Sequence, residues 1–254
     1  MKAYKEVVRE RYDGREVEYT LYDNPYSLIN PVGFYGSMRI RQTFYSIFRA
    51  LRTMGIDIST EKILDVGCGK GDLTRYFAEL SQSPGNIYGI DLSSYRINQA
   101  RIFNPNINYF LDDLVQPRYF RETDFGVVTA VDVFMHLGSE EEILNALQNI
   151  RAVLKDGGIF IWYDAFARDH FDSQSDAECA GFNPKQMDHF CKLAGFEKLF
   201  STPVFKNIMW KYHSAYLSRK FPMWLVTLVE NVLPGSPGNV VMVFRKRGRV
   251  REIH

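Results

Sequence analysis

Ile63-Leu64-Asp65-Val66-Gly67-Cys68-Gly69-Lys70-Gly71-Asp72-Leu73-Thr74 is the stretch from which the fold can be read. Apolar Ile63, Leu64 and Val66 make a short buried strand, interrupted by one acid, Asp65. Glycines follow at 67, 69 and 71, and then Leu73, Tyr76, Phe77 and Leu80 recur at helical spacing. A strand, a tight glycine turn and a helix is how α/β folds bring backbone close to a nucleotide-like ligand. The spacing discriminates between ligands. A dinucleotide fingerprint, G-x-G-x-x-G, needs its last small residue at position 72. That position is Asp72, and the third glycine comes one residue early. A carboxylate there opposes a pyrophosphate at the helix N-terminus, where the dipole favours an anion. The turn suits a ligand without phosphates.

Outward from this stretch, strand and helix signals alternate from about position 60 to 205, which predicts a mostly parallel sheet. The strands are expected at 62–66, 86–90, 107–111, 125–131, 157–163 and 197–205, with a last one at 239–245. Ser139-Glu140-Glu141-Glu142 is a capping box ahead of Ile143, Leu147, Ile150 and Leu154, and Gly157-Gly158 is expected to end that helix. Asn183-Pro184 caps a further helix whose Met187, Phe190, Cys191 and Ala194 line one face. Residues 1–55 read as a cover segment: six tyrosines without periodicity in 1–35, then an amphipathic helix over 38–54 with Ile40, Phe44, Ile47, Phe48 and Leu51 on one side. Residues 56–254 read as the core, with an insertion at 206–238.

The chain has 254 residues, 46% hydrophobic and 15% aromatic, enough for one large α/β domain. A net charge of +1 steers nothing globally to nucleic acid. Three scattered cysteines, Cys68, Cys179 and Cys191, argue against a disulfide framework or a zinc ribbon and suit reduced thiols in the cytoplasm. Neither a signal peptide nor a membrane span is expected.

The glycine turn resembles the first motif of class I S-adenosylmethionine (SAM)-dependent methyltransferases, and over about residues 60–165 four elements fall in that family's order. The resemblance implies a Rossmann-like seven-stranded, mostly parallel sheet with helices on both faces and an antiparallel last strand. It also implies SAM as cofactor. Asp65, Gly67, Cys68 and Gly69 would then approach the methionine end, with Asp65 reaching the ammonium and gaining a partner that a buried acid otherwise lacks. Asp91, followed by Leu92, ends the second strand twenty residues beyond Gly71, where an acid can accept both ribose hydroxyls. Asp113 and Leu114 align with the family's adenine contacts, and a slip of one residue substitutes Asp112. Ala130 and Val131, ending the fourth strand, would wall the methionine. No metal is expected.

A hydroxyl acceptor needs a base, and the candidates follow the fourth and fifth strands: His136 first, then Asp164 and His170 in the loop after the fifth strand. His136 reads equally as a structural histidine bonding backbone beside the cofactor. Asp23-Asn24-Pro25-Tyr26 resembles the signature of amino-group methyltransferases but lies near the N-terminus, which disfavours an exocyclic amine. The ensemble resembles small-molecule methyltransferases of the quinone-biosynthesis and sugar-modifying kind. The reading is O-methylation of a hydroxylated metabolite such as a sugar or glycan component. Its alternatives are C- or N-methylation of a small aromatic metabolite, or a non-catalytic SAM-binding partner subunit. The insertion, with Trp210, Arg219, Lys220 and Trp224, is read first as a lid over the acceptor, then as a homodimer interface or a peripheral membrane contact.

Overall fold

The computed structural model describes residues 9–10, 28–118, 120–165, 184–205, 222–233 and 239–248. Seven strands form one sheet: β1 (Ile63–Val66), β2 (Ile87–Asp91), β3 (Asn108–Leu111), β4 (Phe125–Val131), β5 (Leu154–Ala165), β6 (Phe196–Phe205) and β7 (Asn239–Lys246). Their order across the sheet is β3-β2-β1-β4-β5-β7-β6. β1 to β5 pair in parallel with one another, and β7 runs antiparallel to both β5 and β6. The order reverses between β1 and β4, the switch point where open α/β sheets leave a crevice beyond the strand ends.

Alternation of side chains along the strands divides the core into two layers. One face carries Leu64, Val66, Val128, Ala130, Phe160 and Trp162 and is covered by α4 (Glu140–Val153) and α5 (Pro184–Leu193). The other carries Ile63, Ile87, Val127, Ile159 and Ile161, and is covered by α1 (Pro31–Thr53), α2 (Asp72–Leu80) and α3 (Ser94–Phe103). A sixth helix, α6 (Met223–Val232), packs on the first half of α1 through Val226, Val32 and Tyr35.

Two boundaries differ from the sequence reading. α1 begins at Pro31, seven residues before the expected start, because Asn30 accepts a hydrogen bond from Val32 N at 3.1 Å and Pro31 takes the first helical position. Its early apolar residues face α6 instead of the sheet, so they do not continue the stripe of Phe44, Ile47, Phe48 and Leu51. The helix before β5 ends at Val153, not at Gly157-Gly158. The strand has already begun at Leu154, and its pairing jumps from Phe125↔Leu154 to Val127↔Ile159. Gly157, at φ 73°, takes the bulge that this jump requires. The capping box is real: Ser139 Oγ accepts from Glu142 N at 3.2 Å, and Glu142 reaches back to Gly138 N at 2.7 Å.

The second half of α1 belongs to the same apolar core as the strands. Phe44 is fully buried, with its ring centroid 5.7 Å from that of Phe48 and 5.3 Å from that of Phe77 on α2. Phe44→Ala should therefore lower unfolding free energy by about 3–5 kcal/mol, the cost of emptying a closed aromatic site. Urea denaturation followed by far-UV circular dichroism checks it, and a loss under ~1 kcal/mol would mean that α1 is only loosely docked.

Candidate functional site

The candidate cofactor residues collect on the rim where β1, β2, β3 and β4 end. The glycine turn is built by conformation as much as by space. Gly67, Gly69 and Gly71 have φ of 66°, 55° and 85°, a region that side chains other than glycine rarely adopt. A Cβ on Gly67 would clash with Val133, just beyond β4, and one on Gly71 with the hydroxyl of Tyr109 on β3. At Gly69 the nearest atom is Arg96 Nη1, an ordinary 3.6 Å away. The outer two glycines thus let neighbouring segments close in, while the middle one keeps its backbone open to the rim.

Asp65 sits at the floor of this turn, 2% exposed. Its Oδ2 accepts from Thr74 Oγ1 at 2.6 Å, and its Oδ1 from Thr129 Oγ1 at 2.8 Å. The expectation that the acid lacks protein partners is corrected: α2 and β4 each supply a hydroxyl. Burial raises its pKa to about 6 against the pull of these two hydrogen bonds, with Asp91 adding a smaller upward push.

Asp91, half-buried, ends β2. Its Oδ2 accepts from Gly69 N at 2.9 Å and its Oδ1 from Ser93 N at 2.8 Å. These two backbone bonds fix the orientation of the carboxylate. Ser93 caps α3 by accepting from Arg96 N at 3.1 Å. Leu92 between them is exposed at the rim.

The two acids after β3 divide their work. Asp112 is buried and accepts from the backbone N of Asp113, Arg118 and Phe120, at 2.9, 2.9 and 2.6 Å. It is the hub of its loop. Asp113 is half-buried, and its Oδ1 accepts from Val115 N at 2.8 Å. Leu114 packs partly into the core, and its carbonyl accepts from Asn149 Nδ2 at 2.8 Å. Cys68 is buried, and burial raises its thiol pKa well above the usual range, with Asp91 and Asp65 adding to it. It is a packing residue against Gly89. Ala130 is buried and Val131 half-buried at the end of β4.

Beyond β4 the chain turns sharply. Asp132 has φ 54°, and its N–H bonds to Tyr163 O at 2.8 Å. A 3-10 turn over Phe134–His136 follows, and carries His136 half-buried at its end. Asp164 lies within β5, paired with Val240, and not in the loop after it. It is fully buried, and its Oδ2 accepts from Trp162 Nε1 at 2.6 Å. Burial and then the Asp132 carboxylate raise its pKa well above the usual range, opposed by Trp162 and by backbone groups of Val133 and Met135. Asp164 sits where it steadies the segment bearing His136. His170 lies outside the described residues, as do Cys179 and Asp23 to Tyr26. Among the described residues no group of three or more His, Cys, Asp or Glu could hold a metal ion.

Thr74, Thr129, Ser93 and Val133 belong to the site and were not singled out from the sequence. Ser93 was within reach as an N-cap two residues after an acid. The threonines and Val133 act through contacts between elements that no local pattern displays.

Residues 63–158 match the family described as Methyltransferase domain. A 24-methylenesterol C-methyltransferase of Arabidopsis thaliana is 30% identical over 46% of this chain and 32% of its own length. A ubiquinone biosynthesis O-methyltransferase of Hydrogenovibrio crunogenus is 30% identical over 41% of this chain and 42% of its own. The chain thus spans less than half the length of these relatives. Among solved structures, magnesium protoporphyrin IX methyltransferase from Synechocystis, with bound SAM, superposes with a TM-score of 0.63 at 14% identity, covering 97% of this chain and 98% of that one.

The titration of Asp65 is testable without any ligand. Its folded pKa is raised, so the folded state binds the proton more tightly than the unfolded chain. Its stabilising contribution is complete below about pH 4 and is lost as pH rises through about 6. The difference amounts to about 3 kcal/mol at full scale. Urea midpoints of wild type and Asp65→Asn between pH 4 and 7 should diverge by such a slope, with the variant flatter. Parallel profiles would show Asp65 ionising as freely as an exposed acid.

Proposed function

We propose that this chain, which carries a class I S-adenosylmethionine-dependent methyltransferase domain, methylates a small-molecule acceptor, with a hydroxyl as the receiving group. The observation that carries the proposal is Asp91, aimed by Gly69 N–H and Ser93 N–H at the rim beside an open glycine turn. A carboxylate so held is a bidentate acceptor for a pair of vicinal hydroxyls. The residues around it fit the rest of the cofactor. Gly69 leaves backbone accessible, Asp113 and Leu114 stand beside the adenine end, and Asp65 beneath Gly67 serves the ammonium end. Asp112 is committed to its loop, which favours Asp113 for the adenine amino group.

SAM supplies an electrophilic sulfonium methyl. The chain's share is alignment and proton removal. Asp91 and Asp113 fix the long axis of the cofactor, and Val131 to Val133 wall its reactive end. Asp164, Trp162 and the Asp132–Tyr163 bond hold the turn that presents His136, whose imidazole takes the proton from the acceptor hydroxyl. A carbon acceptor is the second reading, favoured by the likeness to the Arabidopsis C-methyltransferase. The likenesses to a sterol and a ubiquinone-biosynthesis methyltransferase fit an apolar acceptor better than a sugar.

Calorimetry tests the cofactor reading. SAM and S-adenosylhomocysteine should bind and NAD should not. Asp91→Ala should weaken SAM by about 2–3 kcal/mol, the scale of charge-assisted bonds; unchanged affinity would overturn the placement. With labelled SAM and lysate fractions, label should enter small molecules, and entry into RNA or protein would overturn the acceptor class. Once an acceptor is in hand, His136→Ala should lower turnover roughly 10²–10⁴-fold with SAM affinity nearly intact. A loss under about tenfold would favour the carbon acceptor.

A further inference from the structure

Large apolar side chains stand exposed on both α1 and α6: Phe34 and Tyr45 on the first, Trp224, Leu228 and Val232 on the second. On α6, Trp224, Leu228 and Val232 recur every four residues and are 66%, 48% and 66% exposed. Val226 and Glu230, on the opposite side of the helix, are buried against α1, where burial raises the pKa of Tyr35 against the pull of Arg39, with Glu230 adding a smaller upward push. The stripe is what remains after α6 has packed. Trp224 faces solvent. On α1, Phe34, Tyr45, Arg49 and Arg52 are exposed, and at about 100° per residue these positions share one side of the helix.

The charge of this layer is one-signed. α1 holds Arg39, Arg41, Arg49 and Arg52 and no acid, and the only acid of α6 is the buried Glu230. Four arginines and one glutamate leave these two helices at +3, while the whole chain is +1. Arg39 is engaged with Val204 O and Arg41 lies over the Tyr76 ring. Arg49 and Arg52 stand out on the exposed side, Arg49 beside Tyr45 and Arg52 3.9 Å from Asp57. In sequence, Arg219 and Lys220 immediately precede α6.

We propose that the α1–α6 layer docks on an anionic lipid surface. Tryptophan, leucine and valine on one helical face enter the boundary between headgroups and acyl chains, while arginines meet the phosphates. Among the described residues no helix is long and apolar enough to cross a membrane, so the contact is shallow. A second copy of the chain fits less well. A two-fold dimer sets a patch against itself, and neither α1 nor the exposed side of α6 offers an acid to receive Arg49 and Arg52. Docking does not depend on the methyltransferase reading, since it needs neither cofactor nor acceptor.

Flotation of the full chain with vesicles of phosphatidylcholine, with and without phosphatidylglycerol, tests the proposal. Wild type should float with the anionic vesicles, and the double variant Trp224→Glu, Leu228→Glu should partition at least about tenfold less. Arg49→Gln with Arg52→Gln should abolish the preference for anionic over neutral vesicles. All four positions are exposed, so thermal melts should match wild type and identify any variant that fails to fold. The proposal is overturned if wild type does not float, or if both double variants float as it does. It is also overturned if sedimentation velocity shows a concentration-dependent dimer that Trp224→Glu, Leu228→Glu abolishes, which would give the face to a second copy.

Discussion

A carboxyl group buried at the end of β1 governs the geometry of the whole rim. Asp65 cannot sit among apolar strands without donors, and the two it has come from different elements, Thr129 on β4 and Thr74 in the first turn of α2. These two bonds tie strand to strand and helix to sheet at one point. With α2 fixed there, the chain between Val66 and Asp72 must climb from strand to helix in five residues, and three of them are glycines at positive φ. The sharpness of the turn then lets Val133 close over Gly67 and Tyr109 close over Gly71, so that β3 and the segment beyond β4 are positioned by the same device.

Acids are plentiful on this rim, and the protein separates them by what it lets each one do. Asp112 spends its oxygens on three backbone N–H groups and becomes part of the loop. Asp164 is sealed inside β5 with an indole N–H and a raised pKa, and becomes part of the wall. Asp91 is also held by backbone donors, from the glycine turn and from Ser93, and stays half-buried at the rim. Burial and hydrogen-bond partners separate these carboxylates more sharply than position at a strand end does.

Much of this was legible in the sequence. Six of the seven strands begin within one residue of the spans expected from apolar runs and turn signals, because each run is short, continuous and bounded by glycine, proline or acids. The exception is instructive. Gly157-Gly158 looks like a helix terminator, yet it is a bulge inside β5, and only the register against Phe125 and Val127 reveals it. The start of α1 was missed for a similar reason: Val32 and Tyr35 are apolar toward α6, a partner nearly two hundred residues away. At the site, the carboxylates and glycines were visible because their chemistry is restricted to few residue types. Thr74, Thr129 and Val133 were not, since a threonine beside a strand carries no sign of the buried acid that it will meet. The roles of Asp112 and Asp113 were undecided for want of the loop geometry that separates them.

The placement of β7 has a consequence for the order in which the molecule can be completed. Of the seven strands it comes last along the chain, yet it lies between β5 and β6 and pairs along nearly its full length with both. While a ribosome is still making residues 239–246, β5 is an open edge and β6 has no neighbour in its own sheet. Two sticky, β-branched or aromatic strands must then wait side by side for a third to slide between them. Synthesis from the N-terminus can finish β1 to β5 and their helices early, but the outer third of the sheet closes only in a final, non-local step. That interval is when a chaperone, or a neighbouring nascent chain, has its best opportunity to bind.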